Sequence, residues 1–443
     1  MNPGKALLNA VLVAVCLGTP TALLAEDLLD IYHQAQQSDP SLRAAEAAYK
    51  AALQGKSLAR APLKPQINAN AGIERHSQTF SDTPASRSAF FRDSDFNRKS
   101  WGIRLDQTLY NKALREQLNQ ADAQIAKAEA DLIAARQNQI VRVAKAYFDV
   151  LAAIDTVAFA KAEKAAIGKQ LHQSKERFDV GLIAITDVKE AQAKYDLAVA
   201  QEISAQNQYD IAMEDLQLLI GRLPESLDPL QDNYQPEPPT PASIDAWVKL
   251  ALDNSLALRA ARMQLAIAKS EIARQKSGHY PIIGLKAQHG VQDDNGGFNE
   301  GKSGDTTVGV ELKLPIYSGG QVSAATRQAR ANYQQALQQV ELQRRETIRQ
   351  TRAAYLNAIA GISRVKALKQ ALSSTRTAHE TAKAGFEVGT RTAVDVLLAL
   401  RETYRAKQDY ARARYDYILQ MFRLKQAAGI LSEKDAKAIN DWL

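Results

Sequence analysis

Cysteine is all but missing from this chain. The single cysteine, Cys16, sits in an apolar stretch from Ala6 to Leu17 that follows the start MNPGK and leads to Pro20, the small residues Ala22 and Ala25, and the charged pair Glu26-Asp27. That layout is a secretory signal peptide, residues 1–25. Lipidation of Cys16 would want a small residue where Val15 stands. Past the leader there is no thiol, which excludes a disulfide framework and thiolate chemistry. Long apolar runs are missing too: nothing after the leader reaches the roughly 18 residues of a membrane-spanning helix. If a membrane is crossed, strands must cross it. Clustered charge of one sign is also absent. The net charge is +7, but Lys and Arg are spread among Glu, Asp and Gln, which reads as solvated helix surface and excludes a nucleic-acid footprint. The six histidines, His33, His76, His172, His279, His289 and His379, form no pair at helical ligand spacing, so no metal or hydrolytic site is supported.

Proline is missing over 68 positions from Asn111 to Phe178 and over 69 from Ser318 to Phe386. In the first stretch Leu114, Leu118, Ala121, Ile125, Ala128, Leu132 and Ala135 recur at spacings of 4 and 3, and Val322, Thr326, Ala329, Tyr333, Ala336 and Val340 repeat the pattern in the second. These are heptad seams of coiled coils. They predict long helices over about 111–178 and about 318–386, each spanning about 100 Å at about 1.5 Å per residue. Return helices are expected over about 187–220 and about 394–428, half the outward length. Helical pieces from about Pro40 to Ala61 and from Leu256 to Ser277 would cover the other half.

What is present is one unit, twice. RFDVGLIAITDVKEAQAKY, residues 177–195, superimposes on GFEVGTRTAVDVLLALRETY, residues 385–404, at an offset of 208, and Leu42-Arg43-Ala44-Ala45 on Leu258-Arg259-Ala260-Ala261 at 216. Duplication therefore organises the fold. The first structural repeat covers 26–230, the second 245–430, with a Pro-rich extended linker at 231–244 and a C-terminal tail at 431–443. Within each repeat lie two alternating segments of about ten residues with one apolar face, about 66–80 and 99–110, then about 281–292 and 305–317. Polar connectors 81–100 and 293–305 separate them, and Trp101, Tyr110, Tyr280 and Tyr317 stand at the strand ends, where amphipathic rings suit a bilayer interface.

Four strands cannot close a barrel, and an open edge in lipid leaves backbone groups unpaired at several kcal/mol each. Two copies would give a barrel of eight strands, whose interior fills with side chains, and three give an even-numbered barrel of twelve with room for a pore. The fold class expected is an α+β membrane protein: long coiled coils with four transmembrane strands per chain, assembling as a trimeric twelve-stranded barrel continued by a helical tunnel.

At Val180–Asp187 (VG-x-x-A-x-TD), Val388–Leu397 (VGTRT-x-VDVL) and Leu314–Gly320 (LPIY-x-GG) the chain resembles the TolC family of outer-membrane efflux and type I secretion channels, over nearly its whole mature length. The resemblance implies a passive, gated homotrimeric exit duct in the cell outer membrane, without cofactor or enzymatic activity, whose tunnel reaches into the periplasm. There an adaptor (membrane fusion) protein would dock at the tips, here Val180, Gly181, Leu182, Val388, Gly389 and Thr390, and link the duct to an inner-membrane transporter. It also implies a periplasmic gate. Arg391 matches the family's gate arginine, and Thr186 and Asp187 its partners. Phe386 replaces a tyrosine, so one hydroxyl link is lost, and of two carboxylates three residues apart Asp395 remains while Leu398 replaces the other. A looser mouth and weaker block by multivalent cations follow.

Plainer roles exist for the same residues. Asp187 and Asp395 suit the first turn of a helix, and Asp187 with Glu190 has capping-box spacing. Arg391 suits a solvated loop, and Gly181 and Gly389 suit turns. Gly296–Ser303 fits the phosphate-loop pattern G-x-x-x-x-G-K-[ST], but a strand alternation follows it where that loop needs a helix. The competing function is a periplasmic coiled-coil scaffold without a pore, which would have no use for the four strands.

Overall fold

The computed structural model describes residues 25–79, 94–297 and 300–443. The leader up to residue 24, most of the first polar connector, and Phe298-Asn299 of the phosphate-loop look-alike lie outside these. Two helices dominate, α3 (Lys112–Asp179) and α7 (Gln321–Glu387). α3 starts where the Asn111 side chain accepts from the amides of Ala113 and Leu114, at 3.0 and 3.4 Å. α7 starts after Gly319 and Gly320, both at positive φ. The return helices are α4 (Ile185–Ile220) and α8 (Ala393–Ala427), and among the described helices none is long and apolar enough to cross a membrane.

Each repeat opens with a short helix that the sequence pattern did not show. Helices α1 (Leu28–Ser38) and α2 (Pro40–Arg60) recur as α5 (Ile244–Asn254) and α6 (Leu256–Lys276), shifted throughout by 216 residues. Asp39 and its counterpart Ser255 cap the second helix of each pair, accepting from Ser41 N at 2.9 Å and Leu258 N at 3.3 Å. α9 (Glu433–Asn440) occupies the stretch read as a tail. α2 packs chiefly on α3, whereas α6 packs between α3 and α7; lower down, α4 packs along α3, and α8 packs on both α3 and α7.

β1 (Gln66–Gln78), β2 (Ser94–Tyr110), β3 (Ile282–Asp294) and β4 (Gly301–Lys313) form one antiparallel sheet in chain order. Its register aligns the apolar positions: Ala69 faces Ile103 and Ala71 faces Trp101, Leu105 faces Ala287, and Ala287 faces Val308. The other face carries Asn70, Gly102, Gly290 and Asp305 in one row. The apolar face is uncovered, with Ile67, Val308 and Val310 about 70% exposed. Two expectations need correcting. β2 begins at Ser94, so Trp101 lies within the strand and not at its end, because a polar alternation extends the ladder without an apolar signature. β4 ends at Lys313, before Pro315, so Tyr317 stands in the loop to α7.

The main core sits at mid-height of α3. Tyr147 and Phe148 are buried there against Leu28 and Ile31 of α1, Leu216 of α4, and Tyr415 and Ile418 of α8. Truncating a side chain so placed costs about 3–5 kcal/mol. The proline-rich segment between α4 and α5 is pinned to this core. The Tyr147 hydroxyl donates to Asp228 O at 2.8 Å and Tyr234 packs edge-on against Trp442 at 5.7 Å, while Trp247, in a second cluster with Ala358 and Leu424, donates from Nε1 to Pro241 O at 2.8 Å.

Candidate functional site

Both long helices end in the same turn. At the first tip Val180 caps α3, Gly181 takes φ +79°, and the amides of Gly181 and Leu182 donate to Phe178 O and Arg177 O at 2.8 Å each. At the second, Val388 caps α7, Gly389 takes φ +80°, and the amides of Gly389 and Thr390 donate to Phe386 O at 3.2 Å and Gly385 O at 2.8 Å. This is a left-handed helix end that glycine adopts without strain. Val180, Leu182 and Val388 are 69–75% exposed, an apolar point on each hairpin with nothing covering it within the chain.

The side chains around the two turns differ. Thr392 caps α8: its hydroxyl accepts from Asp395 N at 3.2 Å, and Asp395 Oδ2 accepts from Thr392 N at 2.9 Å, a complete capping box. These bonds, the one from the Thr392 backbone foremost, hold the Asp395 carboxyl below its ordinary range, aided by Arg391 and by Lys194 of α4. At the first tip α4 starts after Ala184, which has no side-chain bond to offer. The Asp187–Glu190 spacing therefore does not make a capping box: the helix begins two residues before Asp187, and Asp187 lies inside its first turn. Among the described residues neither its carboxylate nor the exposed hydroxyl of Thr186 has a side-chain partner.

Among the described residues no hydrogen bond or ion pair joins Arg391 to Thr186 or Asp187 within the chain. What bridges the tips instead is Arg177, whose guanidinium lies 4.5 Å from the centre of the Phe386 ring. Arg177 occupies in the first repeat the place that Gly385 occupies in the second, where an added Cβ would meet Arg391 Cγ at 2.8 Å. The resemblance named neither residue. Only pairing the two copies position by position exposes the exchange of arginine for glycine.

Above the tips a cleft of about 490 Å³ opens between α3, α4 and α8, bordered by Glu163, Lys194, Leu398 and Arg401. Leu398 is 49% exposed at its rim, one turn from Asp395. Burial pushes the Glu163 carboxyl up, opposed by Arg401 at 3.8 Å. Gly301–Ser303 of the phosphate-loop look-alike opens β4, so no helix dipole faces it.

Residues 31–222 and 247–430 match the outer membrane efflux protein family. The chain belongs to that family. The two matched segments fall on the two repeats. Among relatives, the outer membrane protein TolC of Vibrio cholerae is 39% identical, with 97% of this chain and 96% of the relative covered. The alkaline protease secretion protein AprF of Pseudomonas aeruginosa is 30% identical, covering 94% of this chain and 88% of the relative. The crystal structure of the Campylobacter jejuni CmeC outer membrane channel superimposes with a TM-score of 0.79 over 94% of this chain and 89% of that one, at 17% identity, a likeness of fold. Outer membrane efflux proteins of this kind are channels of the outer membrane, and none of these relatives is named as an enzyme or as a pore-free scaffold.

Proposed function

We propose that this chain is one third of an outer-membrane exit duct, which passes drugs, toxins or proteins outward from an inner-membrane transporter by passive conduction. The observation that carries the reading is the open sheet: four strands in register, one face apolar and uncovered and, among the described residues, both outer edges unpaired and no membrane-crossing helix to take its place. In lipid those edges need β-strand partners, and β4 of one copy against β1 of the next supplies them. The helices support the same closure. α6 fills the space between α3 and α7, while its counterpart α2 has α3 on one side and exposes Leu53 and Leu58 on its surface, ready for the α7 of a neighbour.

The apolar tips at Val180-Gly181-Leu182 and Val388-Gly389-Thr390 serve as docking points for a periplasmic adaptor, which connects the duct to the inner-membrane pump. The gate lies just above them, with Arg391 of one hairpin reaching Thr186 and Asp187 of a neighbouring chain, and Asp395 ringing the constriction. Phe386, lacking a hydroxyl, contributes its ring to Arg177 instead of a hydrogen bond. The purified protein in planar bilayers is expected to conduct ions in unitary steps. Reconstituted protein that leaves the bilayer insulating would mean that the sheet does not close around a pore.

A further inference from the structure

The two return helices have unlike neighbours and unlike charge. α8 lies between α3 and α7: its Leu397 packs with Ile167 of α3 and Ala198 of α4, and its Tyr415 stacks on Phe148 of α3 at 5.5 Å. α4 packs along α3 and meets α8 only lightly, through Ala198, and leaves Leu197, Ile211 and Leu218 between 53 and 72% exposed at heptad multiples. Flanking these, Glu190, Asp196 and Asp210 are exposed carboxylates with no ion pair among the described residues; Asp196 and Asp210 accept only from Gln192 and Gln206 of their own helix, at 2.9 and 3.0 Å. The lower half of α7 is the reverse. Arg364, Arg376 and Lys383 are exposed there, again without an ion pair among the described residues, beside the small residues Ser363, Ala367 and Ser374.

The Arg177–Phe386 contact sets the two tips at one height. α4 rises from Ile185 as α7 descends to Glu387, so distance from the tip can be counted along each. Asp196 and Arg376 both stand eleven residues from the tip, Glu190 stands five and Lys383 four, and Asp210 and Arg364 stand 25 and 23. The within-chain pair of α3 and α8 supplies the geometry, because in the duplicated unit its equivalent is α7 against the α4 of a neighbouring copy.

We propose that the seam between neighbouring chains in the lower tunnel is a charge-paired zipper, the acidic edge of α4 in one copy lying against the basic edge of α7 in the next, with large apolar residues of α4 seated on small ones of α7. This rests on the duct reading above, and its partner is a second copy of this chain. It makes the seam between chains more sensitive to salt than the seam within a chain, where α8 meets α3 mainly through apolar packing beside the Arg401–Glu163 pair at 3.8 Å. The mouth therefore loosens along the contacts between chains.

The test uses the full-length protein purified in detergent, whose mature chain offers no native cysteine. Asp196→Cys with Arg376→Cys, treated with a short bis-maleimide, should give a ladder of linked dimers and trimers, absent for either single variant. Arg376→Glu alone should raise single-channel conductance, and adding Asp196→Lys should restore it. Residual linking in the double-cysteine protein should fall about two-fold or more at 1 M salt as the remaining pairs are screened. A trimer by light scattering with no ladder, or a swap that restores nothing, overturns the zipper and leaves the duct standing. A monomer overturns both.

Discussion

Ala184 precedes the return helix at one tip where Thr392 precedes it at the other, and that exchange decides what the aspartate three residues further on can do. Asp395 turns one oxygen back to its own helix end, bonded to Thr392 N and Oγ1 at 2.9 Å each. Asp187, on the same backbone with no cap beside it, has a carboxylate with no hydrogen-bond or ion-pair partner among the described residues. A second exchange runs the other way. Arg177 reaches across to the Phe386 ring, and Gly385 leaves the room into which Arg391 folds. Duplication has kept the turn and divided the chemistry: the first tip offers an uncapped carboxylate, the second a self-capped helix and the exposed guanidinium of Arg391.

The widest break in that division is Leu398→Asp, which restores a second carboxylate one turn from Asp395. With three added charges in a trimer, block by a multivalent cation from the periplasmic side should tighten about ten-fold or more in planar bilayers. An unchanged block would mean that these positions do not ring the conduction path. Next in size is the cap. Thr392→Ala should cost α8 about 1 kcal/mol at its first turn, read as faster amide exchange there and nowhere in α4, and Ala184→Thr should slow exchange in α4 by a similar factor. Were both substitutions silent, the two tips would not differ in the way described. The same cap responds to acid. Because the folded Asp395 carboxyl is held below its ordinary range, its contribution is present above the usual aspartate pKa of about 3.9 and is lost as pH falls through the depressed value. Amide protection of the first turn of α8 should therefore drop between pH 4 and lower pH in wild type, and not in the Thr392→Ala variant. Smallest is Arg177→Ala, which removes a contact over the Phe386 ring worth about 0.5–1 kcal/mol at an exposed site. It should raise the proportion of time the channel spends open in single-channel records, and Arg177→Lys should recover part of the loss.

Much of this was legible from residues. The heptad spacing of Leu114 to Ala135 and the two proline-free stretches announce α3 and α7, and the alternation of Ile67 to Ile73 announces β1, because period and length depend on local pattern. The helices α1, α5 and α9 were not read, being 8 to 11 residues long and held by packing on α3, α4 and α7 that no local pattern encodes. Residues 231–244 read as an extended linker, since prolines speak against regular structure, and nothing local says that Tyr234 within it, or Leu227 and Leu230 just before it, are buried. At the site, the VG turns and Arg391 stood out by motif. The Asp187–Glu190 spacing misled because a capping box needs its first member at the helix boundary, and that boundary lies at Ala184. Gly385 and Arg177 went unnoticed because a glycine–arginine exchange gains meaning only when Arg391 and Phe386 are seen beside it.

The most direct test is the mass and symmetry of the detergent-purified particle. Three copies of the chain with threefold symmetry, a closed barrel at one end and six hairpin tips at the other, are the expected result. A monodisperse single chain that stays soluble after detergent removal, with no threefold axis in averaged images, would contradict it.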